Sequence, residues 1–283
     1  MSTRALVLSR YRLSRRVTGV FAHSAFVILS VLMAFPFLYL LKLSIQPDGD
    51  VFSVPIELIP SSFEIENYLR AMQRFPLLEQ LRNSVIYATT TTVSTVLTAT
   101  LAAYALAKLR LPGCRILILF FVGTMLLPPE IRVIPMYTLV AQLGWVNTWL
   151  GLIMPLTTTG FAVFFIYQFT ITLPDELLEV ARIDGASEGR ILFSLILPLA
   201  KTAMATMAIY NFLFRWRGFV WPLVVTRGDV TTLSVGLSAL KTGEGLMRWN
   251  LIGAATMFLF IPSLILFLVL KRYVLSAVAY TIK

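Results

Sequence analysis

Apolar residues along the chain gather into six stretches, each long enough to cross a hydrocarbon core, which takes about 20 helical residues. They fall at 17–44, 83–109, 116–140, 149–171, 202–225 and 250–270. The first is too long, and too rich in Phe and Leu throughout, for a cleaved signal sequence. It also lacks a small-residue cleavage site before the next polar segment, so a retained helix is expected. Six such helices predict an all-α polytopic membrane protein, read as a single transmembrane domain over 1–283.

Two connections are more than turns. The segment 45–81 is long and acidic, with Asp48, Asp50, Glu57, Glu64, Glu66 and Glu79. The segment 173–201, between the fourth and fifth stretches, is amphipathic. Pro174 suits a first helical turn, and Asp175, Glu176 and Glu179 complement the positive end of that helix. Gly185 is placed to stop it, and Ser187 can cap a second helix running toward Pro198. The spacing predicts helix, turn, helix, lying at the membrane surface.

Composition changes the solvent. Hydrophobic residues make up 58% of the chain and charged residues 13%, against about 25% charged in a soluble domain. A chain this apolar cannot keep an aqueous surface, so the bilayer is its medium. The net charge of +10 does not point to nucleic acid, because the basic residues sit at the edges of apolar runs and form no stripe on one face.

Their placement instead orients the chain. With the N-terminus inside, the cytoplasmic segments hold Arg4, Arg10, Arg12, Arg15, Arg16, Lys108, Arg110, Arg115, Arg182, Arg190, Lys201, Lys271, Arg272 and Lys283. The outer loops hold only Arg70, Arg74, Arg227, Lys241 and Arg248. The positive-inside rule then places both termini, the basic tail 1–16 and the 173–201 loop in the cytoplasm, and 45–81 outside. Cys114, the single cysteine, has no internal disulfide partner, and its apolar flanks suggest an inert thiol.

The cytoplasmic loop carries the sharpest pattern. Glu179, Val180 and Ala181 are followed by Asp184, Gly185, Ala186 and Ser187, and then by Leu195, Ile196, Leu197 and Pro198. A short amphipathic helix of this kind can lay its apolar face into a groove on a partner protein. The small residues allow close approach, and the acids fix orientation by charge. A helix resting on lipid headgroups would carry an excess of Lys and Arg, whereas this loop holds more acid than base.

These residues closely resemble the "EAA" loop of ABC importer permeases, with Val180 in place of the second alanine. The resemblance extends over roughly 17–278. It is similar to the second permease subunit of maltose-, trehalose- and glycerol-phosphate-type systems, in the carbohydrate-uptake class. Its elements are Ser44 to Pro47, Asn83 with Ser84, Ala102 to Ala105, Pro128 with Ile134 and Pro135, Phe212 to Trp216, Trp221 to Leu223, and Lys271 to Tyr273. The chain departs from the family in having Trp216, Arg217 and Gly218 where W-N-[DE] is common, and in its final residues 278–283.

The resemblance implies a type I importer permease fold in a bacterial inner membrane, forming half of a translocation path for a sugar or sugar-like solute. It implies three kinds of protein partner: ABC ATPase subunits gripping the loop from Glu179 to Pro198, a second homologous permease, and an extracytoplasmic solute-binding protein. The chain itself has no G-x-x-x-x-G-K-[ST] and no Gly-Lys dipeptide, so it is not expected to hydrolyse ATP. No cofactor is expected in this subunit, ATP and Mg²⁺ belonging to the partner ATPase, and no metal or catalytic group is expected either.

Ionisable residues at membrane depth are functional candidates by default. Glu130 and Arg132 follow the Pro128–Pro129 pair, which should break or kink the third helix. They either line a cavity, where broken backbone is tolerated, or reach the outer interface if that helix ends early. Arg215 and Arg217, two apart, do not share a helix face. One is expected to face the path or a partner subunit, and the other to snorkel; an arginine facing the path suits phosphate, carboxylate or sugar hydroxyls. His23 is expected in a core or interface, and Trp145, Trp149, Trp221 and Trp249 in an interfacial belt. The coupling loop does not separate a sugar from a polyamine, phosphate or peptide as solute. An ion-coupled secondary transporter would need internal repeats and intramembrane acids, and only Glu130 lies at depth. A membrane scaffold would leave the helix-turn-helix loop without a role.

Overall fold

In hydrocarbon each unpaired backbone N–H or C=O costs several kcal/mol, and a helix satisfies these groups within its own segment. A computed structural model describes residues 3–54, 59–109, 111–239 and 248–281, and the side chains within them other than those of 3–18, 20 and 270–281. Every regular element among the described residues is helical. Glu57, Arg110, Lys241 and Lys283, and the side chains of the basic residues in 4–16 and of Lys271 and Arg272, lie outside that description.

Four helices are long and apolar enough to span alone. They are Phe21–Ile45 within α1 (Thr3–Ile45), α3 (Leu77–Lys108), the continuous run Glu188–Trp216, and Trp249–Val269 within α13 (Trp249–Thr281). Two further apolar pairs are bent. α4 (Cys114–Met125) and α5 (Pro129–Gln142) meet at 105°. α6 (Trp149–Ile153), extended by the 3₁₀ turn Met154–Leu156, meets α7 (Gly160–Thr170) at 41°. Counting each pair as one span gives the six that the hydrophobic pattern predicts.

Three of the expected spans are not single rods, the fourth being bent between α6 and α7. The third, 116–140, is broken between α4 and α5. Pro129 opens α5 with no N–H to donate, and Pro128 before it is extended at ψ 137°, as a residue preceding proline prefers. The fifth, 202–225, begins earlier and ends earlier. α9 (Glu188–Ile191) continues through a π-helical turn, Leu192–Ile196, into α10 (Leu197–Trp216). The wider turn lies just upstream of Pro198, where an α-helical register would drive the ring against the carbonyl of Ser194. The rod stops before Gly218, and α11 (Val220–Val225) is a separate helix.

The chain divides into two compact units, Met1–Ala71 with Arg248–Met257, and Met72–Met247 with Phe258–Lys283. In the first, Phe21, Phe26, Met33 and Leu38 of α1 stay exposed, as suits a helix facing lipid tails. Its inner order is polar. Asn67, on α2 (Glu66–Arg74), donates from Nδ2 to the carbonyls of Ser44 and Gln46, at 3.3 and 3.0 Å, and Ser44 Oγ meets the Tyr68 hydroxyl at 2.8 Å. The acidic loop is matched internally rather than left as a field of like charge. Arg70 bridges Glu64 and Glu66 at 3.0 Å each, and Arg248 meets Asp48 at 3.3 Å.

In the second unit α3 packs against α7 and α10 through Val96, Ala99, Ala103, Ala162, Val163, Ile166 and Met207. Lipid tails are as apolar as these side chains, so close packing of backbones, allowed by small residues, replaces the hydrophobic drive. Gly160 shows how close. A Cβ there would run into the Phe121 carbonyl oxygen and Thr124 Oγ1 of α4.

Candidate coupling loop and transport cavity

The 173–201 loop folds as helix, turn, helix. Pro174 sits at the N-cap of α8 (Asp175–Ile183), with Asp175 and Glu176 in its first turn. Asp184 closes the helix, and Gly185 turns the chain at φ +79°, a left-handed conformation open to glycine at little cost. The Ala186 amide donates back to the Ala181 carbonyl at 3.0 Å. Ser187 caps α9, its Oγ accepting from the Arg190 amide at 3.4 Å. Glu179, Asp184, Gly185, Ser187 and Pro198 are exposed; Ala181, Ala186 and Leu195 are partly buried and pack on a core of Tyr104, Leu178, Ile191, Leu192 and Ile196.

Two residues that the motif does not include hold this loop. Lys108, at the end of α3, is buried, and its Nζ donates to the Leu173 carbonyl and to Asp175 Oδ1, both at 2.6 Å. The Tyr104 hydroxyl, one turn earlier, donates to Glu188 Oε2, and Arg182 Nε donates to Glu188 Oε1 at 2.8 Å. Glu188 pushes the Arg182 guanidinium pKa still higher, so that side chain stays charged throughout the physiological range. The two ties differ in weight. Arg182 and Glu188 are each roughly 40–50% exposed, where an ion pair contributes at most about 1 kcal/mol. Lys108 has almost no exposed side-chain surface, and a charge-assisted bond to a buried group is worth about 1.5–3 kcal/mol. From sequence, Lys108 reads only as a topogenic charge. The signal that could have found it is the acid-rich start of α8 facing a lysine at a helix end.

The second candidate site is a cavity of about 520 Å³ in the same unit, reached by α3, α4, α5, α7, α10 and α11. That is the size of a small-molecule site. Glu130, Arg132 and Arg215 line it, with Pro129, Thr158, Tyr210 and Asn211. Pro128 shapes the site as the N-cap of α5 but is not part of its wall. Arg217 also lies outside the wall; it is exposed, and its Nε donates to the Leu213 carbonyl at 3.3 Å. So of the two span-five arginines, Arg215 is the one at the cavity.

Arg215 is 8% exposed. Its Nε donates to Asn211 Oδ1 at 3.2 Å, its guanidinium lies 5.5 Å from the Phe214 ring centroid, and the buried Tyr87 lines the same cavity. Arg132 lies close enough to act on it electrostatically. Among the described residues no carboxylate comes within 4 Å of it. Asn211 Nδ2 is buried without a hydrogen-bond partner among the described residues. The i, i+4 pairing of Asn211 with Arg215 on an otherwise apolar helix is the sequence signal for this cluster.

One expectation fails and another narrows. Trp221 is buried in the core with Tyr87, Leu152 and Val225, and its Nε1 donates to the Leu152 carbonyl at 3.1 Å, so it does not join an interfacial belt. The indole N–H found a carbonyl freed by the broken fourth span. His23 is exposed on α1, its Nδ1 2.8 Å from the Gly19 carbonyl, so of the two places expected for it, core or interface, it is not in the core of this chain.

A helical chain with several membrane-length spans, a helix-turn-helix loop and a cavity lined by Glu130, Arg132 and Arg215 defines a class of membrane transporter. Residues 12–280 match the family described as binding-protein-dependent transport system inner membrane component, and the chain belongs to that family. The sn-glycerol-3-phosphate transport system permease protein UgpE of Salmonella typhi is 32% identical over 267 residues, covering 92% of this chain and 95% of that protein. Among solved structures, a chain of a bacterial ABC transporter involved in the import of the acidic polysaccharide alginate matches at TM-score 0.81. It is 24% identical and covers 92% of this chain and 97% of its own. A chain of the bacterial alginate ABC transporter in complex with alginate pentasaccharide-bound periplasmic protein matches at TM-score 0.55 and 14% identity, covering 93% and 98%. The fold is therefore that of an ABC importer permease, and the chain is a multi-pass inner-membrane permease subunit of a binding-protein-dependent importer.

Proposed function

We propose that the chain forms half of the translocation path of an ATP-driven importer and that its solute is sugar-like and carries an acidic group. A second permease completes the path, separate ATPase subunits dock on the loop from Glu179 to Pro198, and an extracytoplasmic binding protein delivers solute to the 45–81 side. In this arrangement both termini are cytoplasmic. The subunit needs no cofactor of its own, because ATP and Mg²⁺ are bound by the ATPases.

The observation that carries the solute reading is Arg215. An unpaired charge in a dry interior costs several kcal/mol. A bond to Asn211 and a ring contact recover part of that, the latter about 0.5–2 kcal/mol. The rest must come from whatever fills the cavity. Water suffices at rest, and a phosphate or carboxylate, with Arg132 nearby, binds better because Arg offers it a bidentate donor pair. The solutes named for the relatives, sn-glycerol-3-phosphate and the acidic polysaccharide alginate, are both acidic and support the same reading.

The test is a reconstituted complex of this chain with its ATPase, second permease and binding protein. sn-Glycerol 3-phosphate or an oligouronate should drive ATP hydrolysis and uptake where maltose does not. Arg215→Met should lower uptake of the acidic solute by about 10–100-fold, the equivalent of losing one charge-assisted contact, while Arg217→Asn changes it little. Equal response to maltose, with no effect of Arg215→Met, would remove the acidic group from the reading and leave the permease assignment standing.

A further inference from the structure

We infer that the cavity reads hydroxyl groups as well as charge: Thr158 and Thr124 meet the solute as hydrogen-bond acceptors only, and so select a solute that carries hydroxyls beside its acidic group. They are specificity-determining residues. The inference rests on the reading of that cavity as the solute site.

A hydroxyl has one proton to give and two lone pairs with which to receive, so its polarity toward a cavity depends on where the proton goes. The Thr158 hydroxyl donates to Thr98 Oγ1 of α3 at 2.8 Å. What lies behind Thr98 fixes that direction. Its own hydroxyl is within reach of the Thr157, Ser94 and Thr95 carbonyls, at 2.8, 2.9 and 3.2 Å. Carbonyls only accept, so the Thr98 proton goes to one of them and the Thr158 proton completes the chain. The Thr157 carbonyl stands in the break of the fourth span, outside any helix, and would lose this bond if the proton turned the other way. Thr158 is exposed and lines the cavity. What it offers there is lone pairs.

Thr124, at the end of α4, has the same polarity. Its hydroxyl donates back to the Phe121 carbonyl at 2.6 Å, and it too lines the cavity. The two threonines belong to one corner, since a Cβ on Gly160, two residues after Thr158, would meet Thr124 Oγ1 and that same Phe121 carbonyl. Glu130 is a further acceptor in the wall. On α10 and α5 the polarity is reversed. Arg215 and Arg132 can only donate. Arg215 Nε takes the oxygen of Asn211, which leaves Nδ2, buried and unpartnered among the described residues, as another donor. An alkyl phosphate would answer these donors and set methylene groups against the threonine oxygens. A polyol phosphate or a uronic acid answers both.

The test uses the purified complex of this chain with its second permease and ATPase, without binding protein, so that selection by that protein plays no part. Cys114→Ser removes the native thiol, and Val133→Cys places a reporter in the cavity wall. Its labelling by methyl methanethiosulfonate is read on this chain by mass spectrometry. The half-protecting concentration is measured for sn-glycerol 3-phosphate, for propyl phosphate (the same acid without hydroxyls) and for maltose. Thr158→Val should raise the value for sn-glycerol 3-phosphate about 3–10-fold, the loss of one neutral hydrogen bond, and leave that for propyl phosphate unchanged. Thr124→Val acts in the same direction, and Thr158→Ser, which keeps the oxygen, restores the value. An equal shift for both phosphates, as a merely structural change would give, overturns the inference, and so does no shift for either. Arg215→Met tests the acidic group separately. If it moves neither phosphate while Thr158→Val still moves sn-glycerol 3-phosphate, the acidic reading fails and the hydroxyl site stands. If it weakens both phosphates and Thr158→Val weakens neither, the reverse holds. Protection by no probe, maltose included, would take the solute out of this cavity and both readings with it.

Discussion

Asp50 accepts hydrogen bonds from both the amide and the hydroxyl of Ser61, at 2.9 and 2.7 Å. These two bonds, the amide first, hold its carboxyl below its ordinary value of 3.8, with Lys42 adding a smaller pull. A carboxyl depressed in the fold stabilises it above its unfolded pKa, and that contribution is lost as pH falls through the folded value. The tether is therefore intact at neutral pH and releases only under acid conditions, below about pH 4. Ser61→Ala should shift the release to higher pH, read as the onset of limited proteolysis in the 45–65 segment; an unmoved onset would show that Ser61 does not set it. The sequence shows an acidic loop but not this internal matching, because Asp50 and Ser61 are eleven residues apart with no periodicity to relate them. Arg215 and Arg217 present the same difficulty in another form. On a helix apolar all round, no polar face says which arginine looks inward. Asn211, one turn before Arg215, was the only local hint.

At the scale of elements, proline chemistry was readable and helix fusion was not. The Pro128–Pro129 pair announces a break, and the 105° turn between α4 and α5 delivers it. Ser187 and Gly185 likewise announce a cap and a turn at the places where they occur. Nothing in a hydropathy pattern says that the loop's second helix continues into the fifth span, since charges at Arg190 and Lys201 interrupt the apolar run while the backbone continues through them. The seat of α4 against α7 is set at Gly160. Gly160→Ala would place a methyl group against the Phe121 carbonyl and Thr124 Oγ1, and overpacking of that kind costs about 1–3 kcal/mol. Thermal unfolding in detergent should show the loss. An unchanged midpoint would mean that α4 yields freely, and that the bent pair is less tightly held than its backbone contact implies.

For the whole molecule, six apolar stretches, an uneven placement of basic residues between them and one loop motif are enough to reach the family, because the bilayer leaves so few backbone solutions. The division into two units and the cavity are not written there, since both depend on which faces of nearly uniform helices meet. The two bent pairs bear on how the protein is made. α4 has 12 residues and α7 has 11, about 18 and 16 Å of helix against a hydrocarbon core of about 30 Å. Neither can stop in the membrane by itself as it leaves the insertion machinery. An insertion reporter should therefore accept the 188–216 segment as a single span but accept 114–142 in a smaller fraction, with recovery when 77–108 precedes it; equal insertion of all three would count against this order. Biogenesis then runs out of register with synthesis. The long helices enter first as each emerges, and the short, broken ones are drawn in afterwards by partners already seated, so the cavity that long and short helices wall together comes into being only after the long ones are in place.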